Sequence, residues 1–344
     1  MTICRAERGL LSALSSTDHF ERRNEAREQD KGMSDLTAAR IIDLVKADDP
    51  VATLFRWLVE LWDAAAVDDA LINDYYDERE KATRHLTWTL EQVYGELLTG
   101  VLLPQVNSRQ VTELLAQPRH ALVLMDSLSL REACLLKQRL PAHGYEVLAF
   151  DYAFSEVPSD TGTFCQRHWG VSAPSAVNDP RFVYVRADAP PLDELRRDQL
   201  VVWGTYPDWF WRHAHSGKTE HIPPAEIYLK TEGMLLGILE RIRGHDAIVI
   251  SSDHGYLSLK AGMAWRTRQP YYGYLKDVMG ARTAPISDSK KARALLEKDM
   301  LGVHKDHFLV KGRYTGDFGG VYLHGGLSLM ECLTPWLVMR HKNT

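Results

Sequence analysis

From His120 onward, short apolar runs alternate with helical stretches: "HALVLMD" (120–126), "YEVLAFDYAF" (145–154), "RFVYVRAD" (181–188), "QLVVWGTYPD" (199–208) and "DAIVISSD" (246–253). The helical "LREACLLKQRLPAHG" separates the first two, and "AEIYLKTEGMLLGILERIRG" precedes the last. Short apolar runs without polar alternation belong to strands buried on both faces, and parallel strands need helical crossovers to join them. The pattern therefore predicts an α/β fold, a mostly parallel sheet with helices on both faces. No repeat of 20–50 residues competes with that reading.

The part before His120 has a different style. Residues 1–33 are polar and charge-rich from Ser15 onward, which predicts a poorly ordered extension. Residues 34–118 read as a helical N-terminal region. There Pro50 suits a first helical turn, and Leu54, Trp57, Leu58, Leu61 and Trp62 fall on one face. Leu86, Leu90, Val93, Leu97 and Leu98 continue the helical spacing. The remainder, 119–344, holds the strand–helix alternation.

Composition narrows the function classes. A net charge of -5 leaves no general basic face for long nucleic acid. No apolar run reaches 18 residues, so no membrane helix is expected, and the N-terminus carries no signal-peptide pattern. Cys4, Cys134, Cys165 and Cys332 are scattered without CxxC spacing, which predicts reduced thiols and a cytoplasmic setting.

The chemistry lies where strands end, because ligands of open α/β sheets gather at the carboxyl ends. Three apolar runs close on aspartates: Asp126, Asp208, and Asp253 with His254 attached. A lone aspartate there is usually a turn or cap residue. Several at one edge would repel unless a cation neutralised them, and a pair of divalent ions meets that need. Carboxylate and imidazole ligands together suit zinc, with manganese as the substitute. In "FSEVPSDTGTFCQRHWG" (154–170), Ser159 or Asp160 can cap a helix, and Thr161 falls at or near its N-terminus. A hydroxyl there is either a further cap or a nucleophile favoured by the helix end and by a metal. His324, in "GVYLHGGLSLMECLTPWLVM" (320–339), precedes two glycines that permit close backbone approach.

Taken in order, Asp126, Thr161, Asp208, Asp253-His254 and His324 resemble the site of the alkaline phosphatase superfamily, most closely its PglZ-domain family. The residues that carry the resemblance are "SSDHGYL", "PSDT" and "HGGLSLMECLTPWLV", across about 120–340. The resemblance implies two metal sites. One is formed by Asp126, Asp253 and His254, with the nucleophile Thr161 bridging towards it. The other is formed by an Asp and a His on one segment together with His324. The family has Asp-x-x-x-His there, and four residues after Asp208 this chain has Arg212. His213, with His215 as the alternative, takes the place of that ligand. Arg131 and Arg212 are candidate phosphate clamps, although an arginine at such a position is ordinarily solvated.

The resemblance implies a metal-dependent phosphodiesterase or phosphatase acting on a phosphate ester, such as a cyclic or short oligonucleotide, in bacterial phage defence. In "YPDWFW" (206–211) the aromatics are either core or a platform for a base. The alternative is a catalytically weak scaffold that holds defence-system partners. In either case the helical region 34–118 is a candidate surface for homo-oligomers. The sulfatase and phosphomutase readings fit poorly. "EVPSD" lacks the Cys/Ser-x-Pro-x-Arg pattern, and fewer than 50 residues separate Thr161 from Asp208.

Overall fold

The computed structural model describes residues 38–63, 67–106, 114, 117, 119–186, 200–215, 222–316, 318 and 320–342, without the side chains of 38 and 212–215. The expectations for residues 1–33, and for the side chains of Arg212, His213 and His215, fall outside what is described. The chain opens with helices α1 (Ala38–Lys46), α2 (Pro50–Trp62) and α3 (Ile72–Val93). Then follow β1 (His120–Met125), α4 (Leu130–Arg139), β2 (Tyr145–Phe154), α5 (Thr161–Trp169), β3 (Phe182–Val185) and β4 (Leu200–Gly204). Next come α6 (Asp208–His215), α7 (Pro224–Ile242), β5 (Ala247–Ser251) and β6 (Leu257–Ser258). The final part contains α8 (Tyr271–Val278), β7 (Thr283–Pro285), α9 (Lys290–Glu297), β8 (Leu301–His304), β9 (His307–Val310), β10 (Tyr322–Leu323), α10 (Leu329–Cys332) and β11 (Leu333–His341).

Six strands form the main sheet in the order β2-β11-β5-β1-β4-β3. Parallel pairing joins β5, β1, β4 and β3, and β11 is antiparallel to both β5 and β2. So β2 points the same way as β5, and β11 alone is reversed. The expected mostly parallel α/β sheet is present.

Alternation along each strand sorts the core into two layers. Ala121, Val123, Met125, Val202, Ile248 and Ile250 join one cluster with α4 and α7, whereas Leu122, Leu124, Val201, Trp203 and Val249 join another with Phe164 and Cys165 of α5. Both faces are therefore covered by helices. The first cluster also contains the buried residues Leu54, Leu58 and Trp62 of α2 and Leu86 and Leu90 of α3, so the N-terminal helices share a core with the sheet. Leu97 and Leu98 are buried too, but in a π-helical turn (Leu97–Leu102) after α3 has ended.

A buried ionic network binds α3 to the sheet. Glu80 accepts from Arg131 Nε (2.8 Å) and Nη2 (3.1 Å) and is also paired with Arg313. Arg131 is fully buried, donates to the Tyr256 carbonyl (3.0 Å), and lies over the Tyr256 ring. It is neither solvated nor placed as a phosphate clamp. Burial alone would push the Glu80 pKa up, but the two guanidiniums outweigh it and bring the carboxyl down to about 2. Among the described residues, no helix is long and apolar enough to cross a membrane, and Cys134, Cys165 and Cys332 are buried free thiols.

The folded form of Glu80 is ionised in a pH range where the unfolded chain has already taken up a proton. Its stabilisation is therefore complete above the unfolded value of 4.5 and is lost as pH falls towards 2. The shift corresponds to about 3 kcal/mol. Urea denaturation as a function of pH should show a Glu80→Gln variant that is destabilised at pH 7 and has a flatter slope between pH 4.5 and 2.

Candidate functional site

The sheet topology brings strand ends from across the chain to one edge. Strands β5, β1 and β4 are neighbours and end there, β2 ends there as well, and the reversed β11 begins there. The turn after β1 carries Asp126, and the turn after β5 carries Asp253 and His254. Asp208 is placed differently from the sequence expectation. Strand β4 ends at Gly204, and Asp208 opens helix α6 four residues later. Its backbone N–H donates to the Asp126 carbonyl (3.1 Å), so it still arrives beside the β1 turn.

Thr161 is the first residue of α5. Asp160 caps that helix, its Oδ1 accepting from the Thr163 N–H (2.8 Å), so the Thr161 hydroxyl is not used as the cap. Thr161 Oγ1 is 3.2 Å from His254 Nε2 and 3.4 Å from Asp126 Oδ1. His254 Nε2 is in turn 3.4 Å from Asp253 Oδ2 and 4.0 Å from Asp126 Oδ1. Asp253 and His254 are fully buried, and Asp126 and Thr161 are nearly so.

Two details show what this cluster is built to receive. His254 Nδ1 is 2.9 Å from the Gly255 carbonyl, which can only accept, so Nδ1 carries a ring proton and, in the neutral ring, Nε2 is the atom left to face the carboxylates. Asp253 Oδ1 accepts from the Ser127 N–H (3.1 Å), whereas among the described residues buried Oδ2 accepts no hydrogen bond. Asp126, Asp253 and His254 each offer one ligand atom, all within 4.8 Å of one another. Two carboxylates and an imidazole lone pair, with one oxygen lacking a donor, fit a divalent cation.

His324 and Asp208 lie beside this cluster. The rings of His254 and His324 stack at 4.2 Å, and His324 Nε2 is 4.0 Å from Asp208 Oδ1. His213 and His215 lie on helix α6 with Asp208, and their side chains are outside the described residues. The aromatics of "YPDWFW" are mostly core: Phe210 and Trp211 are buried, and Trp209 is exposed.

Sequence reasoning missed the residues that support the site. Ser127 adopts a left-handed backbone (φ 66), unusual for a residue with a side chain, and that turn aims its N–H at Asp253. Glu132 closes the α4 capping box on Ser129 and accepts from the hydroxyls of Tyr76 (2.7 Å) and Tyr256 (2.8 Å). It thereby ties α3 to the turns after β1 and β5. The spacing of Ser129 and Glu132 was a readable capping signal, but the two tyrosines were not foreseeable. Glu331 is fully buried, pairs with Arg282 (2.7 and 2.8 Å), and accepts from the Gly326 N–H (2.9 Å). Gly255 is required sterically, because a Cβ there would lie 2.1 Å from the Met330 carbonyl oxygen.

No protein-family model matches the sequence, and no curated protein sequence does either. A crystal structure of phosphonoacetate hydrolase from Sinorhizobium meliloti 1021 with phosphonoacetate is similar at 14% identity and a TM-score of 0.35. That match covers 64% of this chain and 90% of the other. A second structure of the enzyme, with phosphonoformate, gives 14% identity and a TM-score of 0.26, covering 65% of each chain.

Two outcomes follow. Asp253→Asn removes a buried charge, so the metal-free variant should melt a few degrees higher than wild type yet lose the rise in Tm that Zn2+ produces. Gly255→Ala should cost about 1–3 kcal/mol in urea denaturation, because the Met330–Glu331 backbone must move.

Proposed function

We propose that the chain is a metal-dependent phosphoryl-transfer hydrolase that uses Thr161 as its nucleophile. The observation that carries this reading is the Thr161 hydroxyl, held 3.2 Å from His254 Nε2 and 3.4 Å from Asp126 Oδ1 at the first turn of α5. A hydroxyl between a carboxylate and an imidazole lone pair can give up its proton, and the helix N-terminus favours the resulting negative charge.

In this reading Asp126, Asp253 and His254 hold one ion, and Asp208, His324 and His213 or His215 hold a second; zinc suits the donors and manganese is the substitute. Bound there, the ions would neutralise the non-bridging phosphoryl oxygens and stabilise both the entering and the leaving oxygen. Thr161 Oγ then forms a bond to phosphorus as the ester P–O bond breaks, giving a phosphothreonine and an alcohol. Water attacks that phosphothreonine and releases phosphate, or a phosphomonoester from a diester, restoring the hydroxyl.

The substrate class rests on the resemblance of the "PSDT", "SSDHG" and "HGGLS" segments to PglZ domains. It points to nucleotide or short oligonucleotide diesters and to a role with partners in phage defence. The free buried thiols support a reducing, cytoplasmic setting.

The test is hydrolysis of bis-p-nitrophenyl phosphate beside p-nitrophenyl phosphate by protein reconstituted with Zn2+ or Mn2+. Thr161→Ala should lower kcat roughly a thousand-fold or more while retaining bound metal. Asp253→Ala should lose both metal and turnover. Absence of turnover, with less than one ion per chain, would leave a scaffold in place of an enzyme.

A further inference from the structure

Ser159 lies two residues before Thr161 and is fully buried. It does not cap α5, since Asp160 does. Its hydroxyl engages instead a loop far along the chain. Its hydroxyl accepts from the Gly325 N–H (3.1 Å) and donates to the Gly326 carbonyl (3.0 Å). Its own carbonyl is 3.2 Å from His324 Nδ1. A carbonyl cannot donate, so Nδ1 of His324 carries a ring proton, and Nε2 is turned towards Asp208 Oδ1, 4.0 Å away.

The loop is shaped for this contact. Gly325 has φ +98, a left-handed conformation suited to glycine. From the other side, Glu331 accepts the Gly326 N–H, so both backbone polar groups of Gly326 are held. A serine needed only for local packing would not place its hydroxyl between two consecutive residues of a distant loop, next to a site imidazole that its own backbone carbonyl contacts.

We propose that Ser159 is a positioning residue, fixing the ring orientation and tautomer of His324 and setting its loop in register with the helix that begins at Thr161. The inference rests on the reading above in taking His324 as a site residue. Residues that orient a metal-binding histidine typically change metal affinity 10–100-fold when removed.

The experiment uses the full chain with 15N-labelled histidine, and assigns the His324 ring signals by their loss in His324→Gln. In metal-free wild type at neutral pH, His324 should be protonated on Nδ1 with a bare Nε2. In Ser159→Ala it should show a mixture of tautomers, and titration with Zn2+ alone should show the weaker of two sites loosened about 10–100-fold, with the tighter site unchanged. A wild-type His324 protonated on Nε2 overturns the proposal whether or not the variant folds. So does a folded Ser159→Ala with wild-type tautomer and affinities. If wild type binds one ion yet the tautomers behave as expected, the two-ion reading fails and the positioning role stands. An absence of hydrolysis likewise bears on the function and not on this coupling.

Discussion

Asp253 is the constraint around which the sheet edge is arranged. Its carboxylate is fully buried, one oxygen accepts from the Ser127 N–H, and among the described residues the other accepts no hydrogen bond. An ionised carboxylate in that state is among the costlier things a folded chain can hold. Asp126 and His254 Nε2 converge on the same point, so two carboxylates and an imidazole nitrogen lie within reach of a single ion. The arrangement makes physical sense as a receptor for positive charge. The strained turn at Ser127 and the steric demand at Gly255 are consistent with that requirement.

What holds this edge in place comes largely from the first hundred residues. Helix α3 sends Glu80 to Arg131 and Arg313, and Tyr76 to Glu132, which also receives Tyr256. Arg131 and Glu132 follow the Asp126 turn, and Tyr256 follows His254. The two turns that carry Asp126 and Asp253-His254 are thus braced from behind by a helix that adds no residue to that cluster. Charged side chains suit this task only because nearly every donor is matched, since a half-paired guanidinium in the interior would cost more than the pair gains.

Much of this was legible in the sequence, for local reasons. Apolar runs with helical spacers gave the parallel strands, and Asp126, Asp253-His254 and Thr161 could be found because each sits at a strand end or helix start. The misread features depend on distant partners. Arg131 looked like a surface cation because Glu80 is remote in sequence and nothing near Arg131 reveals it. Asp208 looked like a strand terminus because "GTYPD" follows the apolar run, although the strand stops at Gly204 and the aspartate starts a helix. Ser159 looked like an alternative cap because the loop that engages it comes much later in the chain.

The reversal of β11 has a consequence for how the molecule is made. Strand β2 pairs with β11 along its whole length, Phe154 opposite Leu333, and β11 also covers the free side of β5. During synthesis β2 therefore emerges long before the strand that binds it to the sheet, and β5 waits with an open edge. Such late, non-local pairing slows folding and leaves strand edges available to other chains. The segment that supplies β11 also supplies His324 and Glu331, so one stretch of chain both closes the sheet and completes the candidate site.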